Sequence, residues 1–339
     1  MATQSEQEVT IEVQHLVKRY PRAAVNAVDD ISFSVKRGEI FGLLGPNGAG
    51  KTTTIGVLTT NILPTSGQAF LTGINVVEHP MKVKERIAVV PQQSNLDRSL
   101  RAREILTFHA NYHGVSRAER SARADALLQE LGLGNRGKDR VLRYSGGMAQ
   151  RLMLARALMH SPDVLFLDEP TNNLDPQSRL FLWDRIRALH EHGVTILLTT
   201  HDMHEADQLC DRIAIMDHGK ILVLDTAEEL KKLIPGGIFL ELRISVSDFV
   251  PAGQNGSSTK DKLLEALRGI SETAKVEEVQ DGEQENTITL VRLYDQNAGS
   301  LTVDATQVVA RSGAEIRDMH LARPSLEDVF IYLTGRNLR

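Results

Sequence analysis

Cysteine is all but missing: the 339-residue chain has one, Cys210, so no disulfide can form within it, and a cytosolic setting fits. Cys210 falls in a helical pattern, where a thiol is expected as a small buried apolar side chain. Long apolar runs are missing too. A membrane-spanning helix takes about 20 apolar residues, whereas stretches such as Val194 to Leu198 have the length of a buried strand. The N-terminal Met1 to Val13 is polar and acidic, without the basic start and apolar stretch of a secretory signal. The expectation is a cytoplasmic protein that serves any membrane from outside the bilayer. Basic excess is the third absence. With 39 Lys and Arg against 44 Asp and Glu, the net charge is -5, which argues against bulk nucleic-acid binding.

What is present, 41% hydrophobic and 24% charged residues, is the composition of a folded globular chain long enough for about two domains. Short apolar strands alternate with longer amphipathic helices as far as about Leu230, which predicts an α/β domain with a mainly parallel sheet covered by helices. The pattern breaks at Ile234-Pro235-Gly236-Gly237. Leu240, Leu242, Ile244 and Val246 then alternate against polar residues as in a half-buried strand. We therefore expect domains at 8–233 and 236–339. In the second we read a flexible Pro251 to Ser258, a helix near Lys260 to Leu267, and strands at Lys275 to Val279 and Thr287 to Leu293. A helix from Ser300 to Ser312 and a strand from Glu315 to Met319 follow. This β-α-β-β-α-β order matches a ferredoxin-like α+β plan. A last helix, Ser325 to Leu333, follows Pro324 with Ser325 as N-cap.

The chemistry begins at Gly45-Pro46-Asn47-Gly48-Ala49-Gly50-Lys51-Thr52, followed by Thr53, which has the spacing of a phosphate-binding P-loop. Glycines let the backbone close around phosphate oxygens with several N–H groups pointing inward, and the following helix adds the positive end of its dipole. Lys51 supplies a charge for the β- and γ-phosphates, and the Thr52 hydroxyl is placed to ligate Mg2+. The preceding Ile40-Phe41-Gly42-Leu43-Leu44 reads as the buried strand that the motif requires. A second signal, Val164-Leu165-Phe166-Leu167-Asp168-Glu169, is an apolar strand that ends abruptly in two carboxylates. Burial explains the run but not the acids. At the carboxyl end of such a strand, where open α/β sheets bind ligands, Asp168 can hold Mg2+ and Glu169 can face an attacking water. A solvated Asp-Glu pair is the plain alternative for this segment taken alone.

Between the two lies Tyr144-Ser145-Gly146-Gly147-Met148-Ala149-Gln150-Arg151, which resembles the signature of ABC-type ATPases; Tyr144 and Met148 depart from the usual Leu-Ser-Gly-Gly-Gln. We expect it to open a helix from Met148 to Met159 with Leu152, Ala155 and Leu158 on one face. The resemblance implies that Ser145, Gly146 and Gly147 contact the γ-phosphate of an opposite subunit, so that dimerisation is part of catalysis. It extends to Gln92 as the glutamine that senses magnesium and water, with Gln93 a weaker candidate. Asp175 in Asn173-Leu174-Asp175-Pro176 resembles the residue that joins two subunits, His201 the switch histidine, and Tyr20 the aromatic that stacks on adenine. Glu169 is then the general base, with Lys51, Gln92 and His201 as its catalytic partners, and ATP and Mg2+ are the implied cofactors. Metal ligation falls to Thr52, Asp168 and Gln92.

The family reading is an ABC ATPase domain with a helical subdomain, acting as a homodimer on a separate integral membrane permease at the cytoplasmic face of the membrane, with no nucleic-acid partner. Pairing with a degenerate homologue is the alternative assembly. The tail Arg323-Pro324-Ser325-Leu326-Glu327-Asp328-Val329-Phe330-Ile331-Tyr332-Leu333-Thr334-Gly335 and the stretch Leu96 to Glu104 resemble drug-export and nodulation-export ATPases, which implies an exporter and a dimer-steadying or regulatory role for residues 236–339. Leu326, Val329, Phe330 and Leu333 equally make a core stripe. A soluble ABC ATPase of translation or DNA repair is the alternative function. Such members usually carry paired cassettes or a long coiled-coil insertion, and this chain has neither.

Overall fold

In the computed structural model, which describes residues 8–234, 239–245, 259–270, 275–279, 288–294 and 298–335, the apolar runs form strands buried on both faces. The stretch Pro251 to Ser258, the break at Pro235-Gly236-Gly237, Val246 and Thr287 lie outside the described residues. The chain divides into two units, Met1–Thr226 and Ala227–Arg339.

The first unit runs β1 (Val9–Lys18), β2 (Val28–Lys36), β3 (Ile40–Leu44), α1 (Lys51–Leu58), β4 (Ser66–Leu71), β5 (Ile74–Asn75), α2 (Pro80–Arg86), β6 (Ile87–Val90) and α3 (Ala102–Tyr112). It continues with α4 (Arg117–Glu130), α5 (Gly146–Ala157), β7 (Val164–Asp168), α6 (Pro176–Glu191), β8 (Thr195–Thr200), α7 (Met203–Leu209), β9 (Arg212–Asp217) and β10 (Lys220–Asp225). Its central sheet has the order β10-β9-β3-β8-β7-β6 and is parallel except for β10. Alternate side chains of these strands feed two cores. Ile40, Leu165, Leu167, Ile196 and Leu198 pack with α3 to α6, whereas Phe41, Leu43, Phe166 and Leu197 pack with α1 and a second sheet.

That second sheet, β2-β1-β4-β5, is antiparallel and refines the expectation of a mainly parallel sheet covered by helices. β1 and β2 bury only part of their residues, including Ile11, Val13, Ile31 and Val35, as antiparallel strands with one solvated face do. Helix α7 ends at Leu209, so Cys210 follows the helix instead of lying in it. The cysteine is partly buried against the helix-side core, and burial raises its thiol pKa well above the usual value. Helix α5 starts at Gly146, two residues before the expected Met148, because the Ser145 hydroxyl accepts from the Met148 N–H and caps the helix ahead of both glycines. It is buried nearly all round rather than on one face: Leu152, Met153, Leu154, Ala155 and Ala157 are all inside.

The second unit holds α8 (Ala227–Lys231), β11 (Phe239–Ser245), α9 (Thr259–Arg268), β12 (Lys275–Val279), β13 (Ile288–Tyr294), α10 (Ala298–Arg311), β14 (Glu315–Ala322) and α11 (Leu326–Thr334). Its sheet is antiparallel with the order β12-β13-β11-β14. One face supplies Leu240, Leu242, Ile244, Val291 and Leu293 to a core with Leu263, Leu267, Leu301 and Val309 of α9 and α10. Ser325 and Asp328 form a reciprocal capping box at the start of α11. Of the expected stripe on α11, Leu326, Val329 and Phe330 are buried but Leu333 is 37% exposed. Ile331 is buried instead.

Candidate nucleotide site

The register of the central sheet puts the carboxyl ends of β3, β7 and β8 at one edge: Leu44 pairs with Thr200, and Asp168 with Thr199. The chain leaves these ends as the loop before α1, as Glu169 and as His201, so three segments remote in sequence converge where parallel sheets bind ligands. Gly50, the N-cap of α1, takes φ +106, and a Cβ there would stand 2.4 Å from the Ala27 carbonyl oxygen. Both features demand glycine. Lys51 then begins the helix with its ammonium 4% exposed, donating to the carbonyl oxygens of Gly45 (2.7 Å) and Pro46 (3.0 Å). Burial lowers the Lys51 pKa by removing water from the charge, while Glu169 and Asp168 draw it back up.

Glu169 is the centre of the cluster. Its backbone adopts φ +47, sparsely populated for a residue with a side chain, and its N–H donates to both the carbonyl (3.0 Å) and hydroxyl (3.1 Å) of Thr199. The strand therefore ends in a sharp turn that is held from the neighbouring strand. The carboxylate is 7% exposed; its Oε1 lies 3.6 Å from Lys51 Nζ. Its Oε2 accepts from Gln92 Nε2 at 2.9 Å and Asn172 Nδ2 at 3.0 Å, and His201 Nδ1 lies 3.2 Å away. Asp168 accepts from Thr52 (3.2 Å) and Thr199 (2.5 Å) hydroxyls. The pair Thr52 and Asp168 is a set of hard oxygen donors suited to Mg2+.

The other expected residues stand apart from this carboxylate. Gly48 is in the left-handed region at φ +83 and, with Asn47, exposes the loop, whereas Ala49 is buried. Thr53 Oγ1 lies 3.3 Å from the Tyr20 hydroxyl. Tyr20 is 41% exposed, with Lys18 Nζ 5.3 Å from its ring centre. Ser145 and Gly146 are exposed at the start of α5, and Gly147 is buried. Ser145 makes its side-chain hydrogen bond with Met148 N–H, and Asp175 caps α6 by accepting from Ser178 N–H at 2.9 Å; hydrogen bonds from the Ser178 side chain and then its N–H lower the Asp175 pKa. Tyr144 is an anchor: its hydroxyl donates to the Arg136 carbonyl at 2.9 Å, and burial pushes its pKa up to about 12. Gln93 is exposed.

Thr199, Asn172 and Glu205 were not singled out from the sequence. Thr199 was legible as one of two adjacent threonines that end a buried strand, Thr195–Thr200. Glu205 is buried, accepts from Thr171 (2.7 Å) and Trp183 Nε1 (3.0 Å), and lines a cavity of about 50 Å3 with Glu169 and His201. Burial raises its pKa, and the donors from Thr171, Thr200 and Trp183 oppose the rise. Its distance along the chain from Trp183 hid it.

Residues 28–172 match the family model described as ABC transporter. The daunorubicin/doxorubicin resistance ATP-binding protein DrrA of Streptomyces peucetius is 38% identical over 96% of this chain and 92% of its own length. The Nod factor export ATP-binding protein I of Ralstonia nicotianae is 38% identical over 97% of this chain and 95% of its own. The first unit's fold is found in a solved ATP-binding subunit of an ABC transporter, with TM-score 0.61 and 31% identity over 66% of this chain and 92% of that one. A dimeric post-hydrolysis state of the ATP-binding cassette MJ0796 with ADP and Pi gives TM-score 0.60 and 26% identity over 64% of this chain and 98% of that one.

Proposed function

Because the chain belongs to the ATP-binding proteins of ABC transporters, which bind ATP with Mg2+ and hydrolyse it to drive transport, we propose that it powers an exporter through a separate membrane-spanning partner. The observation that carries the reading is the meeting of Lys51, Gln92, Glu169 and His201 around one buried carboxylate. The matching of exporter subunits over nearly the whole chain, second unit included, supports export over translation or repair. Among the described residues no helix is long and apolar enough to cross a membrane, which agrees with a separate partner. As the ATP-hydrolysing partner of such an exporter, the chain is assigned to the cytoplasmic face in this proposal.

In this reading, phosphate oxygens replace the Gly45 and Pro46 carbonyls around the Lys51 ammonium. Thr52 and Asp168 hold Mg2+, which neutralises phosphate charge when bound, and Gln92 reports on its surroundings. Glu169 takes the proton of the attacking water, and His201 and Gln92 hold the geometry; positioning and charge stabilisation dominate such phosphoryl transfer. Tyr20, beside Thr53 at the first turn of α1, stacks on adenine. The exposed start of α5, a helix N-terminus with Ser145 as cap, offers N–H groups to the γ-phosphate of a second copy, with Asp175 at the junction. A homodimer with two equivalent sites follows. Isolated from membranes of its own cell, the tagged chain is expected to bring down an integral membrane protein. Recovery of nucleic acid and no membrane protein would overturn the transport reading.

We assign the second unit a dimer-steadying or regulatory role on a ferredoxin-like plan, supported by its antiparallel order β12-β13-β11-β14. Removing residues 236–339 is expected to weaken dimerisation and to lower coupled transport. Unchanged dimerisation, ATPase rate and transport would reduce the unit to a packing appendage.

A further inference from the structure

Away from the nucleotide site, the first unit gathers three histidines. His109 lies in the last turn of α3, His113 four residues on is its C-cap, and His160 ends the short turn Leu158–His160 that follows α5. One ring nitrogen from each lies within 4.8 Å of the others. The His113 and His160 rings stack with centres 3.8 Å apart, and His109 tilts toward them at 4.6 and 5.5 Å.

Ring stacking accounts for the packing but leaves two polar atoms unexplained. His109 Nε2 and His160 Nδ1 are buried, and neither has a hydrogen-bond partner among the described residues. A buried nitrogen without a partner is costly and calls for a ligand. The second nitrogen of His160 sharpens this. Nε2 lies 2.9 Å from the Ile87 carbonyl oxygen, and because a carbonyl only accepts, Nε2 carries the proton. Nδ1 of the neutral ring therefore carries a bare lone pair in the ring plane. A backbone carbonyl that fixes the tautomer from behind is the outer-shell arrangement of metal-binding histidines. Burial also holds the pKa of all three rings below the usual value, that of His109 at about 3.

We propose that His109, His113 and His160 bind one divalent transition-metal ion of the zinc, nickel or copper class, tying α3 to the turn behind α5. Imidazole nitrogens select these ions over Mg2+ or Ca2+. Metal–nitrogen bonds of about 2.0–2.1 Å in a tetrahedron put the ligand atoms roughly 3.3 Å apart, so the nitrogens, now within 4.8 Å of one another, close inward while the stacked His113 and His160 rings turn by side-chain torsion to aim their in-plane lone pairs at one ion. The fourth position faces a cavity that these histidines line together with Glu85 and Arg156. The Arg156 guanidinium opposes a cation there, and Glu85 is the acidic residue that lines the same cavity. The site shares no residue with the nucleotide cluster and does not depend on the function proposed for it.

The test uses the full chain, stripped with a chelator, free of nucleotide, and titrated with Zn2+ alone and with Co2+ alone. One Zn2+ per chain is expected with a Kd of about 10 µM or tighter, and Co2+ should give the intense visible bands of a tetrahedral nitrogen site. His113→Gln and His160→Gln should each weaken Zn2+ binding at least about tenfold while leaving the circular dichroism and the ATP turnover with Mg2+ and no Zn2+ unchanged. His113 is only half-buried, so its variant decides the matter even where a His109 or His160 variant fails to fold. Absence of stoichiometric Zn2+ binding, or a site that survives in His113→Gln with unchanged affinity, overturns the proposal.

Discussion

Glu169→Gln is expected to lower ATP turnover by roughly 10²- to 10⁴-fold, the usual contribution of a positioned general base, or about 2.7–5.5 kcal/mol of barrier. The substitution is nearly isosteric, and its amide oxygen can still accept from Gln92 and Asn172 where Oε2 does now. The amide NH2 then faces Lys51, where Oε1 now lies 3.6 Å from the ammonium, so attraction gives way to donor against cation and no atom is left to accept a proton from water. Nucleotide should remain bound while chemistry stalls, and the variant should accumulate as an ATP-bound dimer in size-exclusion chromatography. Measured beside the wild type with magnesium and with a chelator, turnover should require magnesium in the wild type. Normal turnover by the variant would move the base elsewhere, with His201 the next group in reach.

Arg292→Met is expected to loosen the second unit by about 3–5 kcal/mol, the cost of stranding buried charge. Arg292 on β13 donates to Glu241 on β11 at 2.8 Å and to Asp328 on α11 at 2.6 Å, with the three side chains 14%, 11% and 7% exposed. Glu241 and Arg292 are direct cross-strand partners, and Asp328 also closes the capping box of α11 with its other oxygen. Removing the cation takes the guanidinium from two buried carboxylates, leaving Glu241 beside His320 Nε2 at 3.4 Å, and pulls on a helix start. Hydrogen exchange of the β11 and β13 amides should quicken by about 10²- to 10⁴-fold, with the first unit unaffected. Unchanged protection would mean that water already solvates the triad. Arg292→Lys should fall between, because a point charge cannot serve both carboxylates as the guanidinium fork does.

Much of the site could be read before the fold, because phosphate chemistry demands local features. A loop that wraps phosphate needs glycines at fixed offsets and a lysine at the helix start, so Gly45 to Thr52 announces itself. The pair Asp168-Glu169 stands out because two acids end an apolar strand. The cap Ser325 was legible for the same reason, a hydroxyl before a helix being a local rule. Leu333 was not, since its exposure depends on what lies beyond the last turn of α11.

The sequence by itself determined which residues could do the chemistry, the alternation of strands and helices, and the caps, all of them set by interactions within a few residues along the chain. Only the tertiary structure decided that β3, β8 and β7 lie side by side in that order, with Asp168 opposite Thr199 and Leu44 opposite Thr200. Register is a property of two strands, and a slip of one residue would turn every side chain to the other face. The antiparallel sheet over the second core, the Glu205–Trp183 contact and the meeting of His160 with α3 have the same origin. Each joins groups far apart in the chain through packing, and packing leaves no pattern in either segment alone.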